Sequence, residues 1–293
     1  MTDKESQTAD DLNEIEYPET LYHYTSGPGL MGILNEDALW ATHLEYMNDS
    51  SETTYVLGLL DKMVTTALAD GNTISLGKEQ HEISSEASKV MRKVAQGSLS
   101  LGGYVVCFSS EDDDLAQWRG YGPVNSGYSL GFNGKKLGEL NKRWIPLRCL
   151  YIEAEQNQKL FDWIVTLDKS ISSIPRTAIR DDRLYRSKLA DALTEFLLLS
   201  VEFKHPKFKD EEEWRLFCLD FNDLYQEPQI KIRSDGAMLR PYWPLRLALG
   251  ENPDLLTSVT VGPTNHLDLG CKALKLFRPG LEVRPSNIPF RGF

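Results

Sequence analysis

The stretch GGYVVCFSSEDDDLAQWRGYGPVNSGYSLGF, Gly102 to Phe132, poses the fold question. It opens on GGYVVCFSS, whose β-branched and aromatic content suits a buried strand. An acidic segment, Glu111 to Asp114, follows where that strand ends, and GYSLGF, Gly127 to Phe132, reads as another strand. Between them lies a glycine-containing loop that displays Gln117, Trp118, Arg119 and Tyr121. Loops on a rigid strand scaffold are where binding groups concentrate. Trp118 and Tyr121 have ring faces to stack on a planar group. Arg119 has the planar fork to hold a phosphate or carboxylate. A surface loop pinned by one tryptophan would account for the same residues.

Working outward, LYHYTS begins with a short strand, Leu21–Tyr24, and Gly27–Asn35 reads as a short helix with Leu30, Ile33 and Leu34 on one face. Leu39–Thr42 is extended. Asp49 or Ser50 can cap the next helix, which carries a stripe of Val56, Leu59, Leu60 and Met63. A further helix is expected over Lys78–Val94. Downstream, PLRCLYIE (Pro146–Glu153) alternates as a strand, and a helical block runs from Asp162 to about Phe203 with a break at Pro175. EWRLFCLDF, PQIKIR, MLRPYW and LTSVTVG read as strands, LDLGCKALKLF as a helix, and LEVRPS as a last strand. Strands dominate both ends with helices inserted between, too irregular an alternation for a doubly wound parallel fold. The expectation is α+β, with a disordered acidic tail over 1–16 and a single domain over 17–293.

The totals narrow the function. A formal charge of −11 and a pI near 5.0 argue against a surface that attracts phosphate backbones everywhere. No apolar run approaches the roughly 20 residues that span a bilayer, and the acidic N-terminus has no signal-peptide core. Cys107, Cys149, Cys218 and Cys271 lie far apart, without the short spacing of a metal site, and read as reduced, packed thiols of a cytoplasmic protein. No GxSxG elbow, Walker loop or Rossmann glycine fingerprint occurs.

Two titratable residues stand out. His23 sits between Tyr22 and Tyr24 and is followed by Thr25 and Ser26, an aromatic and hydroxyl set suited to a ligand wall. A packed, hydrogen-bonded core histidine is the plainer reading. Glu213 opens a strand, where it shares a face with Arg215 while Trp214 and Leu216 face away. Those two side chains make either a simple ion pair or part of a site. The acids before them, Asp210 to Glu212, read as a solvated run. The histidine of HPKF, His205, reads as helping the chain to turn.

Taken together, LYHYTSGPGLMGIL, LWATHLEYMNDSSE, CFSSEDDDLAQWRGYG with GYSLGF, and FKHPKFKDEEEWRLF resemble the bacterial family called domain of unknown function 2971. More distantly, a first-strand His followed by Tyr-Thr, mid-chain aromatics and a Glu opening a late strand is similar to the His–Tyr–Glu pattern of ADP-ribosyltransferases. That resemblance implies a mixed, mostly antiparallel split sheet and NAD as substrate. It implies that His23 contacts a ribose hydroxyl of NAD, an aromatic stacks on nicotinamide, and Glu213 grips the nicotinamide-side ribose. Trp118, Tyr121 and Tyr128 compete for the aromatic position. Tyr24, Thr25 and Ser109 then border the dinucleotide, and Arg119 meets its pyrophosphate. The activity implied is transfer of ADP-ribose to a macromolecule, as a toxin or phage-defence effector with an antitoxin or defence partner. An NAD glycohydrolase and a non-catalytic nucleotide-binding or interaction module are the alternatives. No metal is implied.

Overall fold

The computed structural model describes residues 16–47, 51–96, 102–121, 127–174, 182–219, 230–234 and 237–289. The expected acidic tail, apart from Glu16, lies outside them, as do Asp49 and Ser50. In chain order the first elements are β1 (Thr20–Ser26), α1 (Gly27–Glu36), β2 (Ala38–His43), α2 (Ser51–Ala69), β3 (Thr73–Leu76), β4 (Glu79–Glu82) and α3 (Ser85–Ala95). Then come β5 (Gly103–Ser109), α4 (Leu115–Tyr121), β6 (Gly127–Asn133), α5 (Gly134–Glu139), β7 (Ile145–Arg148), α6 (Glu153–Ser172) and α7 (Asp182–Glu202). The last are β8 (Glu213–Leu219), β9 (Lys231–Ser234), β10 (Leu239–Arg246), β11 (Leu256–Val261), α8 (Leu267–Phe277) and β12 (Glu282–Pro285). The class is α+β with mostly antiparallel strands, and the chain forms two compact units.

One unit gathers residues 1–27, 110–142 and 249–293. Its strands run in the order β12-β11-β6-β1; β1 and β11 are antiparallel to β6, and β12 is parallel to β11. Register fixes two unlike faces, because directly paired residues point the same way. Leu21, His23 and Thr25 pair with Phe132, Leu130 and Tyr128, and Val259 and Val261 continue that face. Helix α8 packs there: a Cβ on Gly270 would stand 3.1 Å from Val261 Cγ1. The opposite face carries Tyr22 and Tyr24, Ser129 and Gly131, Ser258 and Thr260, then Arg284. One face is mostly apolar and the other is rich in hydroxyls.

The other unit comprises residues 28–109 and 143–248. Its sheet runs β7-β8-β5-β2-β10-β9, antiparallel throughout. Helices α2, α3, α6 and α7 bury Val56, Leu60, Met91, Leu160, Ile164 and Phe196 in a shared core. A smaller cluster of Val105, Leu197, Val201 and Phe217 joins α7 to β5 and β8. The helix expected over Lys78–Val94 begins only at Ser85. Gly77 and Asn72 adopt left-handed backbone, so residues 73–82 form a hairpin instead, and Ser84 accepts from the Ala87 N–H as the N-cap of α3. The strand expected at Pro146–Glu153 is cut short because α6 starts at Glu153. The loop expected before Tyr121 contains α4, whose first turn is held by the Gln117 N–H donating to Asp114 Oδ2 at 2.9 Å.

Gly103 is a packing requirement on β5. An added Cβ would meet the Phe217 ring at 2.2 Å and the Cys218 carbonyl oxygen at 2.9 Å. Phe217 is fully buried and cannot swing away. Gly103→Val is expected to cost about 2–3 kcal/mol through overpacking, read as a lower urea midpoint with little change in slope.

Candidate functional site

At the start of β8 four charged side chains converge. Glu213, Arg215 and Lys204 are each 3% exposed, and Glu211 is half-buried. Arg215 Nε donates to Glu213 Oε1 at 2.8 Å and Nη2 to Oε2 at 3.1 Å. Lys204 Nζ donates to Glu213 Oε2 and, at 2.5 Å, to Glu211 Oε2. The Cys107 thiol, one rung away on β5 opposite Arg215, adds a hydrogen bond to Glu213. Arg215 Nη1 donates to the Val201 carbonyl at 2.7 Å. Two carboxylates thus face two cations, and the principal acceptor directions of Glu213 are taken up. The ion pair considered for Glu213 and Arg215 is present, and Lys204 enlarges it.

Local backbone fixes this arrangement. His205 Nδ1 accepts from the Lys207 N–H, turning the chain into a 3₁₀ segment over Pro206–Glu211, and Glu212 takes left-handed backbone before β8 begins. Gln156 Nε2 donates to the Lys204 carbonyl at 2.9 Å, and the Tyr151 hydroxyl accepts from the Glu213 N–H at 2.9 Å. Glu211 is therefore no member of a solvated run, because its side chain holds Lys204 and its carbonyl accepts the Ser109 hydroxyl at 2.9 Å. Ser109 pairs directly with Glu213 across β5 and β8 and is itself buried, so its hydroxyl is committed to the backbone. Burial pushes the Glu213 carboxyl up, but Arg215 and Lys204 outweigh it and hold the group below the usual carboxylate range.

In the other unit the candidate residues divide between the two faces of the sheet. His23 and Thr25 lie half-buried on the mostly apolar face with Tyr128, which is paired with Thr25. Tyr24 lies on the hydroxyl-rich face. It donates to the Glu111 carbonyl at 2.9 Å and accepts from the Asp114 N–H at 3.0 Å. Trp118 packs edge-on against it with ring centroids 4.7 Å apart, and its indole N–H donates to Asp113 Oδ1 at 2.9 Å. Both side chains are buried and serve the acidic segment, so the expected stacking role of Trp118 and ligand role of Tyr24 are not available in this arrangement. Arg119 is exposed on α4, and the Tyr121 side chain lies outside the described residues.

The acidic segment is an anchor for its unit. Asp112 Oδ2 accepts from the Thr260 hydroxyl at 2.9 Å, with Arg284 Nη1 3.7 Å away. Asp113 accepts from the Ser286 hydroxyl and, at 2.7 Å, from the Asn287 N–H. These roles, and those of Lys204, Glu211 and Cys107, were not anticipated from sequence. The alternating hydroxyls of LTSVTVG, Ser258 and Thr260, are a period-two signal for a polar sheet face. Nothing local marks Lys204. Among the described residues no group of three or more His, Cys, Asp or Glu is arranged to hold a metal ion, and no helix is long and apolar enough to cross a membrane. None of the four cysteines is in a disulfide.

Two outcomes follow from the Lys204–Glu213–Arg215 cluster. Glu213→Ala leaves two buried cations without their shared carboxylate and is expected to cost about 3–5 kcal/mol, measured by urea unfolding at neutral pH. The native carboxyl titrates below its ordinary value of 4.5, so protonation favours the unfolded chain. Its stabilisation is complete above that ordinary value and is lost as pH falls through the depressed native one. The acid limb of the stability curve should therefore be shallower in Glu213→Gln than in the unmodified protein.

No curated protein and no solved structure matches the chain. A family model does match residues 117–216, a segment that contains Trp118, Lys204, Glu211, Glu213 and Arg215 but not His23. That family is described as protein of unknown function (DUF2971), and the chain is similar to it over those residues.

Proposed function

We propose that the protein uses NAD as donor and transfers ADP-ribose to a macromolecular acceptor, protein or nucleic acid, in the cytoplasm. The observation that carries this reading is the placing of His23, Thr25 and Tyr128 on one half-buried strand face. It supplies an imidazole and a hydroxyl for ribose and an aromatic ring for nicotinamide. It also favours Tyr128 over Trp118 for the stacking role. In the reaction the bond between nicotinamide nitrogen and ribose C1′ breaks, and its electron pair leaves with nicotinamide. The acceptor nucleophile then bonds to C1′ and releases its proton. The oxocarbenium-like centre resembles that of glycoside cleavage and calls for positioning and negative charge more than for an acid. Glu213, held ionised by Arg215 and Lys204, carries the negative charge that this reading requires. Toxin or phage-defence action, with an antitoxin or defence partner, is the setting in which such a transfer would be used.

Glu213 also supports a second reading. Its carboxylate is already occupied by Arg215, Lys204 and Cys107, which suits a structural cross-link in a module that binds a nucleotide or partner without chemistry. Purified protein incubated with adenylate-labelled NAD and cell extract separates the possibilities. Transfer predicts label on macromolecules, hydrolysis by the same intermediate predicts free ADP-ribose, and a non-catalytic module predicts neither. His23→Ala and Tyr128→Ala are expected to lower turnover by about 10²-fold or more. Glu213→Gln should abolish it while the fold, read by circular dichroism, persists. Full turnover in Glu213→Gln removes that residue from the chemistry.

A further inference from the structure

The hydroxyl-rich face of the β12-β11-β6-β1 sheet contains an unmatched pair of oxygens. Ser129 is 1% exposed, and its Oγ has no hydrogen-bond partner among the described residues. Asp112 Oδ1 is likewise buried and without a partner among them. Register aims Ser129 at the acidic segment. Its neighbour on β1 is Tyr24 and its neighbour on β11 is Thr260, all three on one face. Tyr24 bonds the backbone of Glu111 and Asp114, and Thr260 bonds Asp112 Oδ2. The middle hydroxyl of three therefore lies beneath the same segment while making no bond of its own.

Charge is unbalanced at this place. Asp112, Asp113 and Asp114 contribute three carboxylates within three residues. Asp113 is satisfied by neutral donors, namely Trp118, Ser286 and the Asn287 N–H, and Asp114 by the Gln117 N–H. The cation paired with them among the described residues is Arg284, 3.7 Å from Asp112, and Arg284 is shared with Glu282 at 2.9 Å. Thr260, the β11 neighbour of Ser129, holds the other oxygen of Asp112, so an unpartnered carboxylate oxygen and an unpartnered hydroxyl share one place of net negative charge, which calls for a positive group. Both oxygens are shut off from bulk solvent, which argues for a monatomic ion over a larger ligand. Every donor is oxygen, which selects a hard cation over a thiophilic or imidazole-seeking metal.

We infer that Asp112 Oδ1 and Ser129 Oγ are ligands of a hard inorganic cation, of the alkali or alkaline-earth class, which ties the acidic segment to β6. One carboxylate makes the site weak and outside the multi-carboxylate pattern of tight metal centres. The inference stands apart from the NAD reading, since it concerns the opposite sheet face from His23.

The test compares sodium, potassium, magnesium and calcium chlorides with choline chloride at equal ionic strength, so that screening is common to all arms. At least one inorganic cation should raise the unfolding midpoint saturably, by roughly 3–6 °C near saturation. Ser129→Ala, which keeps the fold and removes one ligand, should shift the titration to about tenfold higher concentration, and Asp112→Asn should abolish the response. Crystals soaked in thallium or rubidium salt should give an anomalous peak within bonding distance of both oxygens. Midpoints that follow choline for all four salts overturn the inference, as does an unchanged response in Ser129→Ala. A water at that position with no anomalous signal overturns it equally.

Discussion

A carboxylate buried beside β8 has to be answered by positive charge, and the surrounding geometry follows from that requirement. An ionised Glu213 alone in a dry interior would be intolerable, so Arg215 takes it from the same strand face and Lys204 from the end of α7. Lys204 in turn needs Glu211, which requires the 3₁₀ turn at Pro206 and the left-handed residue at Glu212. Ser109, Tyr151 and Gln156 then fix the backbone on either side. An apolar core of the same volume could be as stable. What the charges add is direction: a residue pair in register on β5 and β8 is pinned at the strand entrance, where a slip of one residue would put Arg215 on the wrong face.

The second constraint is the two-residue period of β1. Adjacent residues of LYHYTS go to opposite faces, so His23 and Tyr24 cannot serve one ligand on one side of the sheet. The sequence stretch that looked like a single concentrated wall is two half-walls. His23 and Thr25 look toward the valine face with Tyr128, while Tyr22 and Tyr24 look toward hydroxyls and acids. The division sets Tyr128 beside Thr25 on one face and Tyr24, packed against Trp118, on the other.

Much of the fold was legible because it rests on local signals. β1, β5, β6, β8, β11 and α8 follow from runs of β-branched and aromatic residues, or from 3.6-residue periodicity, within a residue or two of their observed ends. The misreadings share a cause. Lys78–Ile83 is polar and helix-compatible in isolation, but Gly77 closes a hairpin there. The acidic segment after β5 reads only as part of a loop until Thr260, Ser286 and Asn287, more than 140 residues away, are seen to bond it. Lys204 carries no local signal at all, because only the turn of the chain after α7 buries it. Long-range pairing of polar side chains leaves no periodic trace, so candidate sites made of such pairs were only half visible. The two compact units were invisible for a related reason: one is assembled from three separated segments, with no linker composition to mark the joins.

The two polar centres handle the same electrostatic problem in opposite ways. At β8 the charges close to zero: Glu211 and Glu213 against Lys204 and Arg215, each oxygen of Glu213 holding a donor. Beneath the acidic segment they do not, because among the described residues three successive aspartates meet neutral hydroxyls and amides with a single shared guanidinium. A neutral donor satisfies a carboxylate's geometry but leaves its charge, and in a partly buried place that charge repels its neighbours more strongly than it would in water. The closed centre is therefore suited to holding a strand in register. The open one has residual negative potential and two oxygens unmatched among the described residues, so its stability should respond to the ions around it while the first stays indifferent to them.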